Sequence, residues 1–166
     1  RFLGVLNGML PMFEWQKKAY AAWEAAGFIG VVEAATGTGK TRLAMEAIAR
    51  FGCEGYRITV LVPTIVILEQ WVRELKRIFK DLLRIGRFDG TRKDSFLGHD
   101  IIVACVNSAC KNAIQALGND RKTFLIADEV HHYGSRVFAK SLVEQYAIRL
   151  SLTATYSRRD TGVGKV

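Results

Sequence analysis

The stretch Ala34–Thr41 decides the fold of this chain, and it reads Ala-Ala-Thr-Gly-Thr-Gly-Lys-Thr. It lies between the apolar run Ile29–Val32 and the helical pattern Leu43–Ile48. A buried strand that runs into a glycine-containing loop and then into a helix is the context in which such a loop binds phosphate. We therefore predict a nucleotide site here, and the alternative is a glycine-rich turn with a chance lysine.

The residue types in this stretch suit a polyphosphate ligand. Gly37 and Gly39 allow the backbone to bend sharply, so that successive amides form an anion nest at the positive end of the following helix dipole. Lys40 can reach the β- and γ-phosphates, and Thr41 can place its hydroxyl on Mg²⁺. Ala34 replaces the usual opening glycine, and a small residue is sufficient there. The predicted phosphate-binding residues are Ala35, Thr36, Gly37, Thr38, Gly39, Lys40 and Thr41.

The composition indicates a basic, globular chain of one domain. Its 166 residues are 49% hydrophobic and 24% charged, which is typical of a folded domain. Lysine and arginine number 24 against 16 acidic residues, for a formal charge of +8. This excess favours a polyanionic partner, nucleic acid before membrane, and the alternative is a merely basic surface. No apolar run approaches the ~20 residues that a membrane-spanning helix needs.

Cysteine usage and the first residue bear on location. Cys53, Cys105 and Cys110 form no Cys-x-x-Cys pair. This pattern predicts no zinc site and a reducing compartment, the cytoplasm or, in a eukaryote, the nucleus. The chain begins at Arg1 without an initiator methionine, so we expect that it starts inside a longer gene product.

Strands alternate with helices along the sequence. This alternation predicts an α/β fold with a mostly parallel sheet and helices on both faces, and no second domain. The predicted strands are Ile29–Ala35, Arg57–Val62, Leu83–Phe88, Asp100–Val106, Thr123–Ala127 and Ile148–Leu152. The predicted helices are Met12–Ala26, Thr41–Arg50, one capped by Thr64, one from Asn107 to about Leu117 and one from about Ser135 to Gln145.

Gln16 lies on the helix that precedes the first predicted strand. A glutamine at this place can hold the edge of an adenine through both atoms of its amide. The alternative is a plain surface glutamine.

Asp128 and Glu129 end the apolar strand Thr123–Ala127. Ligands of open α/β sheets bind at the carboxyl ends of the strands, so we expect this pair beside the phosphate loop. Asp128 suits the magnesium side of the site, and Glu129 suits orientation and deprotonation of an attacking water. The alternative is an acidic strand end in solvent. His131 and His132 are adjacent, but no cysteine or third histidine stands at ligand spacing from them. We therefore interpret His131 as a coupling residue rather than a metal ligand.

The order of these motifs resembles superfamily 2 helicases and translocases. The sequence from Asp128 to His131 resembles their DExH box, and Ala35–Thr41 resembles their motif I. The resemblance spans about residues 12–156. It is closest to the branch that holds type III restriction subunits and XPB-like DNA helicases. Weaker matches are Gln16 as the glutamine before motif I, Val62–Thr64 with Gln70-Trp71 as motif Ia, Val103–Ser108 as the next nucleic-acid segment and Leu152–Thr155 as motif III.

This resemblance implies an N-terminal RecA-like P-loop NTPase lobe over residues 1–156. Residues 157–166 would begin a linker to a second RecA-like lobe that this chain does not contain. The implied ligands are ATP, Mg²⁺ and nucleic acid, with DNA favoured over RNA. The resemblance also implies roles for three sets of residues: Lys40, Asp128 and Glu129 in catalysis; His131, Thr153, Ala154 and Thr155 in coupling; and Pro63, Thr64, Asn107 and Ser108 in nucleic-acid contact.

The function implied is the ATP-binding lobe of an ATP-dependent DNA helicase or translocase. Without the second lobe and its arginine finger, we expect the isolated lobe to hydrolyse ATP weakly or not at all. The alternatives are an RNA-directed DExH helicase, an ATP-dependent switch or scaffold without motor activity, and a nucleic-acid-binding module that is not an enzyme.

Overall fold

The computed structural model describes residues 2–111, 122–129 and 146–154. In these ranges the strands form one sheet in which every pairing is parallel, in the order β1-β6-β5-β2-β4-β3. The strands are β1 Ile29–Ala34, β2 Arg57–Val62, β3 Ile85–Phe88, β4 Ile101–Cys105, β5 Thr123–Ala127 and β6 Ile148–Ala154.

Helices cover both faces of this sheet. Inward side chains of α3 and α4 pack with Val60 and Phe124 in one core cluster, which lies on one face. Ala109 of α5 packs with Leu61 and Leu125 in a second cluster on the other face. The predicted α/β architecture is therefore confirmed. The helices are α1 Phe2–Gly8, α2 Glu14–Ala25, α3 Lys40–Cys53, α4 Ile65–Phe79 and α5 Val106–Lys111.

The two central strands β2 and β5 lie where the sequence predicted them. Every residue of β5 is buried, and so is every residue of β2 after Arg57. Strands of a parallel sheet that are covered on both faces have continuous apolar sequences, and these two sequences have that character.

The first strand corrects one prediction. A buried strand was expected over Ile29–Ala35, but β1 ends at Ala34 and lies at one edge of the described sheet. Its Val32 is buried, whereas Val31 is 67% exposed and Ile29 is 44% exposed. A short apolar run does not distinguish an edge strand from a central one, because both carry β-branched residues.

Helix α4 begins as predicted at the Thr64 cap. The Ile67 backbone N–H donates to Thr64 Oγ1 over 3.3 Å, which satisfies one of the open amides of the first turn. Leu68 and Leu75 are fully buried on its inner face. Helix α4 therefore packs against the sheet along its length.

Trp23 anchors α2 at the amino end of the sheet. Its ring is 3% exposed and contacts the rings of Phe28, Phe51 and Phe124. Its Nε1–H donates to the Arg149 carbonyl over 2.8 Å.

Within the described part of the chain, no helix is long and apolar enough to cross a membrane.

Candidate nucleotide site and nucleic-acid interface

All the strands end at the same edge of the sheet because all of them are parallel. The phosphate loop follows β1, and Thr153 and Ala154 end the neighbouring strand β6. Asp128 follows β5, and Pro63 follows β2. The sheet order therefore brings the phosphate loop, Asp128, Pro63, Thr153 and Ala154 to one edge, as expected for an open α/β sheet.

The phosphate loop has the backbone that its glycines permit. Gly37 and Gly39 have φ angles of 78° and 95°, in the left-handed region that L side chains rarely adopt. The Thr38 hydroxyl donates to the Ala35 carbonyl over 2.6 Å and closes the turn. Helix α3 then begins at Lys40, so its first amides face the loop.

Lys40 lies inside the site. Its side chain is 8% exposed, and Nζ donates to the Ala34 carbonyl over 3.0 Å. The same nitrogen lies 3.9 Å from Glu129 Oε1. The ammonium group is thereby placed between the phosphate loop and the carboxylates, as the sequence predicted.

Asp128 is held by two neighbours. Its Oδ2 accepts a hydrogen bond of 2.7 Å from Trp71 Nε1–H, and its backbone N–H donates to the Leu61 carbonyl over 2.9 Å. Burial raises the pKa of Asp128 above its usual value, while the Trp71 hydrogen bond works in the opposite direction. A nearby positive charge stabilises the ionised form of such a partly buried carboxylate. Lys40 supplies one such charge, and a metal ion would supply another.

Glu129 turns away from the strand in a strained conformation. Its φ angle is 53°, which is uncommon for a residue that is not glycine, asparagine or aspartate. This turn ends β5 and brings the side chain to Lys40. Backbone strain of this kind often accompanies functional sites. Both carboxylates are half-buried, and Glu129 approaches Lys40, which disfavours the alternative of an acidic strand end in solvent.

Gln16 is buried rather than on the surface. It is 1% exposed; the Phe13 N–H donates to its Oε1 over 2.7 Å, and its Nε2 donates to the Gly39 carbonyl over 2.8 Å. The alternative of a plain surface glutamine is therefore excluded. Gln16 joins the start of α2 to the phosphate loop, and its contact with adenine stays a prediction.

A cleft of about 830 Å³ adjoins this end of the phosphate loop. Phe13, Gln16, Gly39, Thr41 and Arg42 are among its lining residues, together with residues of α1 and the end of α4. Phe13 is 65% exposed at its rim. The cleft therefore has room beside Gln16 for a base.

Arg42 is a residue that the sequence analysis missed. Its Nε–H donates to the Leu10 carbonyl over 2.6 Å, and Nη1 pairs with Glu46 Oε2 over 2.7 Å. These contacts hold the segment before α2 against the first turn of α3. The i,i+4 spacing of Arg42 and Glu46 was the available signal for the ion pair, but the Leu10 contact has no sequence signature.

The predicted nucleic-acid residues follow the ends of two adjacent strands, β2 and β4. Val62 and Cys105 are register partners, and Cys105 Sγ lies 3.8 Å from the Pro63 carbonyl. Thr64 is exposed while its hydroxyl caps α4. Asn107 and Ser108 were expected to open the next helix, but α5 begins one residue earlier at Val106, which places both residues in its first turn.

A third loop at this edge was not predicted to be ordered. Asp89, 1% exposed, accepts hydrogen bonds from the Thr91 N–H and hydroxyl over 2.8 Å each and from the Arg92 N–H over 3.0 Å. Burial opposes ionisation, but these bonds and the Arg87 guanidinium prevail and lower the pKa of Asp89 to about 2. The loop that follows β3 is thus fixed, with Arg92 and Lys93 exposed on it.

The coupling residues are described in part. Thr153 pairs with Glu33 and Ala154 pairs with Ala34, so the end of β6 lies directly beside the start of the phosphate loop. His131 and Thr155 lie outside the described residues, as do residues 112–121.

The oxygen donors at this edge suit Mg²⁺ in their chemistry. The Thr41 hydroxyl and the Asp128 carboxylate are hard ligands, and magnesium bound to a nucleotide takes few protein ligands because phosphates and water supply the others. Residues 2–111, 122–129 and 146–154 contain no group of three or more His, Cys, Asp or Glu side chains that could hold a metal ion by themselves. The chemistry of the Thr41 and Asp128 donors suits a magnesium ion whose other ligands would be phosphates and water.

Residues 9–158 match the family described as Type III restriction enzyme, res subunit. The chain belongs to this family. It is 32% identical over 161 residues to the DNA 3'-5' helicase XPB of Mycobacterium tuberculosis, covering 92% of this chain and 29% of that protein. It is 35% identical over 133 residues to the putative DNA 3'-5' helicase Rad25 of Haloarcula marismortui, covering 78% of this chain and 20% of that protein.

A solved structure gives the same result for the fold. The Sulfolobus solfataricus SWI2/SNF2 ATPase core in complex with dsDNA superimposes with a TM-score of 0.68 at 20% identity, over 88% of this chain and 32% of that one. The chain thus spans about a third or less of the length of each of these relatives. The predicted resemblance to the N-terminal RecA-like lobe of superfamily 2 is confirmed.

Proposed function

We propose that this chain is the ATP-binding lobe of an ATP-dependent DNA helicase or translocase, which couples ATP hydrolysis to movement on DNA or to its remodelling. The observation that carries the proposal is the approach of Lys40 Nζ to Glu129 Oε1, 3.9 Å apart, beside a half-buried Asp128. A phosphate-binding lysine and two carboxylates at one sheet edge are the groups that hydrolysis of a nucleoside triphosphate requires.

The reaction is in-line attack of water on the γ-phosphate. Lys40 stabilises charge on the β- and γ-phosphate oxygens, and the loop amides before it hold the phosphates. Glu129 orients the water and accepts its proton. The Thr41 hydroxyl and Asp128 would hold Mg²⁺, which neutralises developing charge when it is bound.

Charge and kinship favour DNA as the partner. The formal charge of +8 suits a phosphate backbone, and two relatives carry the name DNA 3'-5' helicase. Thr64 and Asn107 are exposed, Pro63 and Ser108 are half-buried, and all four follow the ends of the adjacent strands β2 and β4. Hydroxyl and amide groups of this kind contact backbone phosphates, so we expect binding without sequence preference and with strong salt dependence.

Full activity requires a second RecA-like lobe of the same full-length protein. An arginine finger from a facing lobe contributes on the order of 10³–10⁵ in rate. The isolated lobe should therefore bind ATP and hydrolyse it poorly. Thr153 and Ala154, with His131 and Thr155, would couple the phosphate loop to the surface that binds nucleic acid.

The test compares ATP hydrolysis by the full-length protein with no nucleic acid, with duplex DNA, with single-stranded DNA and with RNA. We expect stimulation by DNA, and loss of at least a hundredfold in kcat for Glu129→Gln but not for Glu54→Gln, a substitution at the exposed end of α3. Stimulation by RNA alone would favour the RNA-directed alternative. Hydrolysis indifferent to every nucleic acid would favour the switch, and ATP binding unchanged in Lys40→Ala would refute the nucleotide site.

A further inference from the structure

Trp71 links helix α4 to the carboxylate beside the phosphate loop. The indole is 4% exposed, and its Nε1–H donates to Asp128 Oδ2 over 2.7 Å. Trp71 lies two turns along α4 from Thr64, the cap residue at the sheet edge. One rigid helix therefore carries both a predicted nucleic-acid contact and a hydrogen bond to the predicted magnesium-side carboxylate.

The bond is sensitive to small movements of α4. An N–H···O bond has an ordinary length of roughly 2.7–3.2 Å, so a shift of about half an ångström along its axis takes it out of that range. Leu68 and Leu75 on either side of Trp71 are fully buried, so the indole lies on the face of α4 that packs against the sheet. Because Thr64 and Trp71 belong to the same helix, a contact at Thr64 that displaces α4 as a unit would also displace the indole donor.

The bond also decides the orientation of the carboxylate. The terminal torsion of aspartate is broad, so an Asp128 carboxylate without a fixed donor samples a range of orientations. Trp71 fixes one of its two oxygens, and the Glu129 backbone N–H donates to the same carboxylate. Outer partners that orient a metal-binding carboxylate typically contribute 10–100-fold to metal affinity or activity.

We propose that Trp71 is a positioning residue, which orients Asp128 for nucleotide-bound magnesium and transmits nucleic-acid contact at the start of α4 to the ATP site. This inference rests on the proposed function for its nucleic-acid half. The positioning of Asp128 by Trp71 rests only on the observed hydrogen bond between them.

The experiment compares Trp71→Phe with Trp23→Phe in the full-length protein. Both substitutions keep a buried aromatic ring and remove an indole hydrogen bond, of 2.7 Å to Asp128 and of 2.8 Å to Arg149 at the opposite edge of the sheet. The first readout is the affinity for a fluorescent ATP analogue, titrated with Mg²⁺ or in EDTA. We expect Trp71→Phe to raise the half-saturating Mg²⁺ concentration about tenfold, with unchanged affinity in EDTA, and Trp23→Phe to change neither.

The second readout is the split between kcat and KM. Trp71→Phe should lower the DNA-stimulated kcat about tenfold while the KM for ATP changes less than twofold at saturating Mg²⁺. Thr64→Ser, which keeps a hydroxyl to cap α4, should leave the Mg²⁺ titration unchanged. Equal effects of the two tryptophan substitutions, or an equal loss of affinity in EDTA, would overturn the proposal.

A measurement on the wild-type protein tests the same proposal without depending on the folding of a variant. In protein labelled with ¹⁵N-tryptophan, the Trp71 indole resonance should shift on addition of Mg²⁺ and ADP and again on addition of duplex DNA, while the Trp23 resonance stays in place. No shift with Mg²⁺ and ADP would refute the hold on Asp128. A shift with Mg²⁺ and ADP but none with DNA would refute transmission, and hydrolysis that DNA does not stimulate would refute the proposed function instead.

Discussion

Gly39 is constrained twice, by its backbone and by Gln16, whereas Gly37 is constrained only by its backbone. Both have positive φ angles, but a Cβ at Gly39 would lie 2.6 Å from Gln16 Nε2, and a Cβ at Gly37 would meet nothing within 4 Å. Alanine in the left-handed region costs roughly 1–2 kcal/mol. We therefore expect Gly37→Ala to lower the free energy of unfolding by about 1.5 kcal/mol.

Gly39→Ala should cost about 3–4 kcal/mol, because Gln16 must also move. Gln16 is buried and makes hydrogen bonds to Phe13 and Gly39, and each such bond contributes roughly 0.5–1.5 kcal/mol. In a Gln16→Ala background the obstructing amide is absent. Gly39→Ala should then cost only the backbone strain, about 1.5 kcal/mol.

Urea denaturation of the four proteins of this cycle, with Gly37→Ala in both backgrounds as the control, measures the coupling. We expect a coupling free energy near 2 kcal/mol between positions 16 and 39, and none between 16 and 37. Additive effects at 16 and 39, or equal costs of the two alanine substitutions in the wild-type background, would refute the reasoning.

Three further predictions concern other parts of the same edge. The folded pKa of Asp89 is about 2, below its value of 3.8 when unperturbed, so its stabilisation is full above pH 4 and is lost as the pH falls towards 2. Asp89→Asn should therefore lower the free energy of unfolding by up to about 2 kcal/mol at pH 7, and its difference from wild type in urea denaturation should shrink by pH 3; a constant difference would contradict this. Arg42→Lys should speed amide hydrogen exchange in residues 4–12, because the Leu10 hydrogen bond is lost, whereas Arg50→Lys should not. Glu129→Asn should be more stable to urea than Glu129→Ala by about 0.5–1 kcal/mol, because asparagine tolerates a positive φ, while both variants lose hydrolysis; the reverse order of stability would refute this account of Glu129.

The part of the site that the sequence predicted depends on topology. Lys40 and Glu129 are far apart in the chain, yet strands of a parallel sheet all end at one edge, and this rule alone brings the two loops together. The predicted strand at Thr123–Ala127 is correct to the residue because its apolar run stops abruptly at two carboxylates. The other predicted site residues were assigned from the order of the motifs along the chain.

The contacts that were missed depend on packing between elements. Trp71 belongs to an apolar helical face, and the sequence pattern that buries the indole says nothing about Asp128 as its partner. Gln16 carried no sign of burial, because glutamine is mostly exposed and its two partners are backbone groups. Val31 was expected to be buried, but it is exposed on an edge strand. Valine is common in edge and central strands alike, so its presence does not predict burial.

The sheet order places Asp128 between the two ends of the coupling that the proposed function requires. Strand β6 lies between β1 and β5, so Ala154 is paired to the start of the phosphate loop while Asp128 follows the strand on its other side. Strand β2 lies beyond β5 and leads into α4, whose Trp71 returns to Asp128. The carboxylate thus has one neighbour that adjoins the phosphate loop and another that leads to Thr64. Under the proposed function, Asp128 is therefore the carboxylate that lies between the phosphate loop and the helix that Thr64 caps.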